Sequence, residues 1–188
     1  MKRGLVWVCR RNAGVQPRQR SSGLRAKTLP PEDANNFMMD ITWITSRIAL
    51  GGAIWRADNM AEVARAGVTH ILNMQMEFDD TRLAEPFGIT VLWNPIDDDF
   101  LPKPAEVFCR GVEFARQVLD EADTKLYVHC AAGVHRAPMM VLAILCSTGW
   151  EFEAALEAME AKRPAADFPD VYLNSVKAYL QQESAFKA

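Results

Sequence analysis

Two kinds of apolar patterning alternate along this chain, and that alternation restricts its possible folds more than any other feature. "THILNM" (69–74), "ITVLWNPI" (89–96) and "KLYVHC" (125–130) are short, β-branched or aromatic runs and read as buried strands. "ITSRIALGG" (44–52) reads as an opening strand that Gly51-Gly52 ends. Segments with helical spacing lie between and after them. "DNMAEVARAG" (58–67) predicts a short helix with Asn59 as N-cap, Glu62 as its capping-box partner and Gly67 as the stop. Pro104 opens a helix whose apolar positions Phe108, Val112, Ala115, Leu119 and Ala122 step by four and three. "APMMVLAILCSTG" (137–149) is apolar on all sides, so it predicts a buried helix ended by Gly149. Two more helices are predicted near 151–162 and 170–183. Strands alternating with helices predict one α/β domain over 39–188, with a mainly parallel central sheet flanked by helices.

The stretch with chemical content is "HCAAGVHRAP" (129–138), between the "KLYVHC" strand and the apolar helix. In an open α/β sheet, ligands bind beyond the carboxyl ends of strands. Backbone N–H groups at a helix start form an anion site. Pro138 suits the helix's first turn, where no N–H is needed. Gly133 lets the loop curl without a side chain blocking the pocket. Arg136 adds a planar fork that matches two oxygens of a phosphate. Cys130 then lies on the floor of a positive cup that favours its thiolate, a nucleophile for phosphoryl transfer. Cys130 on its own would read as a small core residue. Gly133 and Arg136 at this spacing move the reading to a phosphate-binding loop, Ala131, Ala132, Gly133, Val134 and His135, closed by Arg136.

Such a reaction needs an acid for the leaving oxygen. "IDDDF" (96–100), after a buried strand, supplies Asp97, Asp98 and Asp99. Adjacent carboxylates oppose one another's ionisation, so the triplet is expected to hold a proton near neutrality. A solvated acidic turn is the bland alternative.

These residues resemble the His-Cys-x5-Arg signature of cysteine-dependent protein tyrosine phosphatases. The chain from about 41 to 182 is similar to the small dual-specificity phosphatases, in "ITSRIALGG", "GVTHILNM" and "WNPIDDDF" as well as the loop. The resemblance implies Cys130 as nucleophile, Arg136 as phosphate ligand and Asp98 as general acid, from the family pattern Pro-Ile-x-Asp. Asp97 and Asp99 stay open as alternatives. It implies that His129 orients the loop, a position that a satisfied core histidine fits equally well. Asn73 either braces the loop or satisfies buried backbone. His135 either adds positive charge at the mouth or points to solvent, with solvent favoured. Ala137 departs from the family, in which Ser or Thr usually follows the arginine and helps the thiolate leave the phosphocysteine. The phosphatases of regenerating liver have a similar Arg-Ala-Pro. The implied activity is hydrolysis of phosphotyrosine in proteins, with phosphoserine and phosphothreonine also open. A slow or inactive phosphatase that binds a phosphorylated partner, and a phosphatase for a non-protein ester, are the alternatives. No metal or organic cofactor is implied, since thiolate, arginine and carboxylate complete the chemistry.

Charge narrows the partner class. Residues 1–31 contain eight Lys and Arg and no acid, while the rest holds 13 basic and 24 acidic groups, a formal charge of −11 (13 − 24). An acidic body argues against nucleic acid as the main partner, while the resemblance implies a phosphorylated protein. No apolar run approaches the ~18–20 residues that span a bilayer, so no membrane partner is expected. Cys9, Cys109, Cys130 and Cys146 have scattered spacing, which argues against a zinc site or disulfide framework and for a cytoplasmic protein. Residues 1–38 lack periodicity and read as a disordered basic tail. An upstream start codon, a transit peptide and an electrostatic tether are open versions of it. The oligomeric state is left open.

Overall fold

The computed structural model describes residues 39–187; the predicted tail, 1–38, lies outside them. The expected single opening strand is a hairpin instead, β1 (Ile41–Trp43) and β2 (Ile48–Gly51), paired antiparallel. Thr45 makes the difference. Its Oγ1 accepts the N–H groups of Arg47 and Ile48, at 3.1 and 2.9 Å, and folds the chain back where a strand pattern reads straight on.

The next elements are α1 (Ala57–Arg65), β3 (His70–Asn73), a short α2 (Thr81–Ala84) with a following 3-10 turn, and β4 (Thr90–Trp93). Then come α3 (Ala105–Asp120), β5 (Leu126–His129), α4 (Arg136–Ser147), α5 (Phe152–Lys162) and α6 (Asp170–Lys187). The predicted cap of α1 is corrected. The helix starts before Asn59, Arg56 occupies the N-cap position, and Glu62 accepts the Met39 N–H at 2.6 Å instead of closing a capping box. A tertiary partner has taken the carboxylate that local spacing assigned to the cap. Gly67 ends the helix as expected, with φ +82°.

Strand order is β1-β2-β5-β3-β4, parallel except for β1, with helices crossing between parallel neighbours. Register aligns the carboxyl ends of the four parallel strands. Gly51 pairs with His129, His129 with Asn73, and Asn73 with Trp93. Four loops therefore leave the sheet from one row, with Cys130 directly after the central strand.

Side-chain alternation divides the core between the two faces of the sheet. Leu50, Leu72, Leu126 and Val128 face the apolar sides of α3, α4, α5 and α6. Ala49, Ile71 and Tyr127 face Met60 and Val63 of α1 and Ala84 of α2. Residues 136–145 of α4 are all buried, which explains an apolar pattern with no polar face. Arg47 donates to the carbonyls of Leu119, Glu121 and Thr124 and so satisfies the end of α3.

Candidate active site

Strand β5 ends at His129, and the loop 130–135 turns directly into α4, whose first residue is Arg136. Cys130 is 1% exposed, on the floor of that loop. Gly133 has φ +65°, a left-handed conformation. A Cβ there would lie 2.5 Å from Arg163 Nη2 and from the Gly51 carbonyl group, so glycine is required by space as well.

Arg163, at the C-cap of α5, was not singled out from sequence. It is 4% exposed and braces the outside of the loop. Its Nε donates to the Gly133 carbonyl at 2.9 Å, and Nη2 to that of Ala132 at 3.4 Å. Asp40 binds the other side of the guanidinium through both carboxylate oxygens, and Thr42 Oγ1 accepts from Nη1 at 3.0 Å. The Asp40 hydrogen bonds outweigh burial and hold the Arg163 cation above its ordinary value. With two loop carbonyls held outside, the loop's N–H groups are left for the cup. Only the local "KRP" stretch hints at this arginine, and nothing local indicates that it would turn inward.

Arg136 is held end-on by Glu77. Nη1 and Nη2 donate to its two carboxylate oxygens at 3.0 and 2.9 Å, and Nη1 also donates to the Ile96 carbonyl at 3.2 Å. Burial opposes the Arg136 charge, but Glu77 and the neighbouring Cys130 more than offset it. A guanidinium has five N–H donors, and those three bonds use the Nη1 pair and one of Nη2. Nε has no hydrogen-bond partner among the described residues. The remaining Nη2 donor and Nε form one edge of the plane, the bidentate geometry that a phosphate needs. Glu77 was likewise not singled out, because a carboxylate in a loop carries no local sign of its partner.

Asp98 stands at that open edge, its Oδ2 3.6 Å from Arg136 Nε and 3.2 Å from His135 Nδ1. Tyr172 donates to Asp98 Oδ1 at 3.0 Å and accepts the Phe100 N–H at 3.1 Å. Burial pushes the Tyr172 hydroxyl up to about 12, so it remains a donor at neutral pH. The triplet is not a set of equals, as its sequence suggests. Asp99 pairs with Lys103, whose hydrogen bond holds that carboxyl below the ordinary range. Asp97 accepts the Asp98 N–H at 2.8 Å and is exposed. Asp98 alone of the three contacts the loop. The favoured reading of His135, pointing to solvent, is also corrected. Its ring bridges Asp98 and Asp167, with Nε2 3.2 Å from Asp167 Oδ2.

His129 and Asn73 share a buried acid. His129 Nε2 lies 2.9 Å from Asp80 Oδ2, and Asn73 Nδ2 donates to Asp80 Oδ1 at 3.0 Å and to the Phe78 carbonyl at 2.9 Å. Asn73 Oδ1 accepts the Gln75 N–H at 2.8 Å. Asn73 therefore acts on the loop after β3, and on Cys130 only through Asp80 and His129.

Residues 54–182 match the family model "Dual specificity phosphatase, catalytic domain". The chain belongs to this family. The dual-specificity domain is 32% identical over 131 residues to Protein phosphatase Slingshot homolog 3 of Mus musculus, covering 68% of this chain and 19% of that protein. It is 32% identical over 107 residues to Protein tyrosine phosphatase type IVA 3 of Homo sapiens, covering 56% and 61%. The chain thus spans about a fifth of the Slingshot relatives. Crystal structures with the dual-specificity fold include PTPMT1 in complex with PI(5)P, with TM-score 0.70, 22% identity, and coverage of 79% of this chain and 99% of that one. Human DUSP28 has TM-score 0.66 and 21% identity, covering 87% and 100%. Among the described residues, no helix is long and apolar enough to cross a membrane, and no group of three or more His, Cys, Asp or Glu is arranged to hold a metal ion.

Proposed function

We propose that this chain is a cysteine-dependent phosphomonoesterase that hydrolyses phosphotyrosine, and phosphoserine or phosphothreonine, in proteins. The observation that carries this reading is the open Nε–Nη2 edge of Arg136, with Asp98 beside it and Cys130 on the same loop. A phosphate held on that edge and by the loop amides has a thiolate below and a carboxyl at its rim.

In the first step Cys130 Sγ attacks phosphorus and the bond to the leaving oxygen breaks. Asp98 delivers its proton to that oxygen. Arg136 and the loop N–H groups hold the non-bridging oxygens as charge spreads. In the second step Asp98 takes a proton from water, the water oxygen attacks phosphorus, and the P–S bond breaks. Inorganic phosphate leaves and the thiolate is restored. Each role uses a side chain already supported by a partner: Arg136 by Glu77, Asp98 by Tyr172 and His135, His129 by Asp80. A reducing compartment such as the cytosol suits a mechanism that depends on a free thiol.

A second reading has one specific observation behind it. Ala137 is fully buried at the start of α4 and offers no hydroxyl to the departing sulfur. Slow hydrolysis of the phosphocysteine would stall the domain after one dephosphorylation, and a domain that does not take the first step at all would serve only to bind phosphorylated partners. The deciding experiment is hydrolysis of para-nitrophenyl phosphate under reducing conditions by wild type and Cys130→Ser. Steady turnover lost in the variant supports the enzyme. A stoichiometric burst without turnover supports an enzyme stalled as the phosphocysteine. Absence of both signals would overturn the enzyme and leave the binding module.

A further inference from the structure

Six large apolar side chains are exposed among the described residues: Trp55, Met76, Trp93, Phe100, Leu101 and Trp150. All but Trp150 are on, or follow, the carboxyl ends of β2, β3 and β4, the edge of the sheet that carries Cys130. Exposed apolar surface concentrated at one edge indicates a binding face. Two of these side chains reach the cup's own supports. Trp55 packs on Phe78, with ring centroids 5.8 Å apart, and Phe78 follows the Glu77 that holds Arg136. Phe100 packs edge-on against His135 at 5.1 Å and stacks on Tyr172.

The same rim is acidic. Asp79 follows Phe78, Asp97 precedes Asp98, and Asp167 contacts His135. Asp79 accepts only from Thr81 and Asp97 only from the Asp98 N–H; neither has an ion-pair partner among the described residues. Asp167 is 67% exposed and meets only His135 as a charge partner. Arg56, exposed beside Trp55, and the exposed Arg110, whose Nη2 donates to the Trp93 carbonyl at 3.2 Å, oppose them. Lys103 is buried and tied to Asp99, and Arg136 is offset by Glu77. The buried donors for a dianionic phosphate are therefore inside the cup, at the loop amides and at Arg136 Nε, which makes no hydrogen bond and faces Asp98 Oδ2 at 3.6 Å. A second phosphate, or an anionic lipid surface, would face carboxylates at the rim. A lysine or arginine beside the phosphoresidue would face the same carboxylates favourably.

We propose that this rim selects polypeptide segments with a single phosphate flanked by apolar residues and by lysine or arginine, and disfavours substrates with a second phosphate or an anionic surface. This rests on the phosphatase reading above and names its substrate class. Apolar contact with Trp55 and Phe100 supplies binding, and the carboxylates supply discrimination.

The test compares two phosphotyrosine peptides with the same apolar residues, one flanked by lysines and one by glutamates. The lysine-flanked peptide is expected to have the higher kcat/KM, by about fivefold at about 25 mM salt, with the ratio approaching one at about 500 mM. Asp79→Asn is expected to lower that ratio about twofold while leaving para-nitrophenyl phosphate hydrolysis unchanged, since an amide oxygen still accepts from Thr81. Trp55→Ala is expected to raise KM for both peptides. Equal rates at low salt, or a preference for glutamates, would overturn the proposal. So would faster hydrolysis of a phosphatidylinositol monophosphate in phosphatidylcholine vesicles than of the lysine-flanked peptide. Loss of para-nitrophenyl phosphate hydrolysis in the wild type is a separate result, and it would overturn the phosphatase reading itself.

Discussion

His129 Nε2 and Asp80 Oδ2 lie 2.9 Å apart, and neither side chain has any exposure to solvent. The residue next to the nucleophile is thus fixed by a carboxylate that also accepts from Asn73. Asp80→Ala would leave His129 Nε2 buried without its partner and Asn73 Nδ2 with the Phe78 carbonyl alone, at a cost of about 3 kcal/mol, whereas Asp80→Asn keeps one acceptor and should cost about half as much. Urea midpoints of the three proteins check this. Equal midpoints would mean that water replaces Asp80 without penalty.

Gly133 is constrained from two sides. Its left-handed φ disfavours any side chain, and the Gly51 backbone leaves no room for a Cβ. Gly133→Ala is expected to cost about 1–3 kcal/mol of stability. It should also weaken competitive inhibition by inorganic phosphate about tenfold, because the loop amides shift. Inhibition unchanged in a destabilised variant would separate the loop's fold from its role in anion binding.

Glu77 gives the site an acid limit. The Arg136 hydrogen bonds outweigh partial burial and hold the Glu77 carboxyl below its ordinary value of 4.5. A depressed folded value stabilises the protein above the unfolded value, and that stabilisation is lost as pH falls through the folded one. Wild type should therefore melt higher than Glu77→Gln between pH 5 and pH 8, by an amount that shrinks to nothing in stronger acid. A gap that persists at low pH would mean that Glu77 stabilises by packing. At neutral pH the variant should lose about tenfold in kcat/KM for para-nitrophenyl phosphate, since Arg136 keeps one end-on acceptor in place of two.

Ala137→Ser supplies the hydroxyl that this loop lacks. If breakdown of the phosphocysteine limits turnover, the variant should raise kcat for para-nitrophenyl phosphate several-fold and shrink any burst. An unchanged or lower kcat would place the slow step elsewhere. The site is fully buried, so a thermal melt should accompany the assay to separate chemistry from packing.

The parts legible in the sequence are those whose cause is local. "KLYVHC" and the apolar run after Pro138 identify a central strand and a buried helix, because burial is written into every residue of each. Asp98 was singled out through the family pattern, and its Oδ2 lies 3.6 Å from Arg136 Nε. The partners were not legible. Glu77, Asp80 and Arg163 lie 59, 49 and 30 residues from Arg136, His129 and Gly133, the groups they hold. An isolated carboxylate or arginine looks the same in sequence whether it faces water or a buried cation. The hairpin at Thr45 was missed for a related reason: a hydroxyl that bonds backbone competes with a strand without disturbing its apolar pattern.

Helix α4 is enclosed along residues 136–145, against α3, α5, α6 and the sheet. Close-packed interiors resist deformation, so this helix has no soft direction in which to shift. The loop that ends in its first residue inherits that stiffness and presents the same donors before and after each turnover. The exposed rim lies instead on the segments around it, 52–56, 75–80 and 97–102. Evolution or design could therefore retune which phosphoesters are accepted at the exposed positions of those segments, such as Trp55, Met76, Asp79, Phe100 and Leu101, while Glu77, Asp80 and Asp98 keep the reacting geometry at the end of a tightly packed helix.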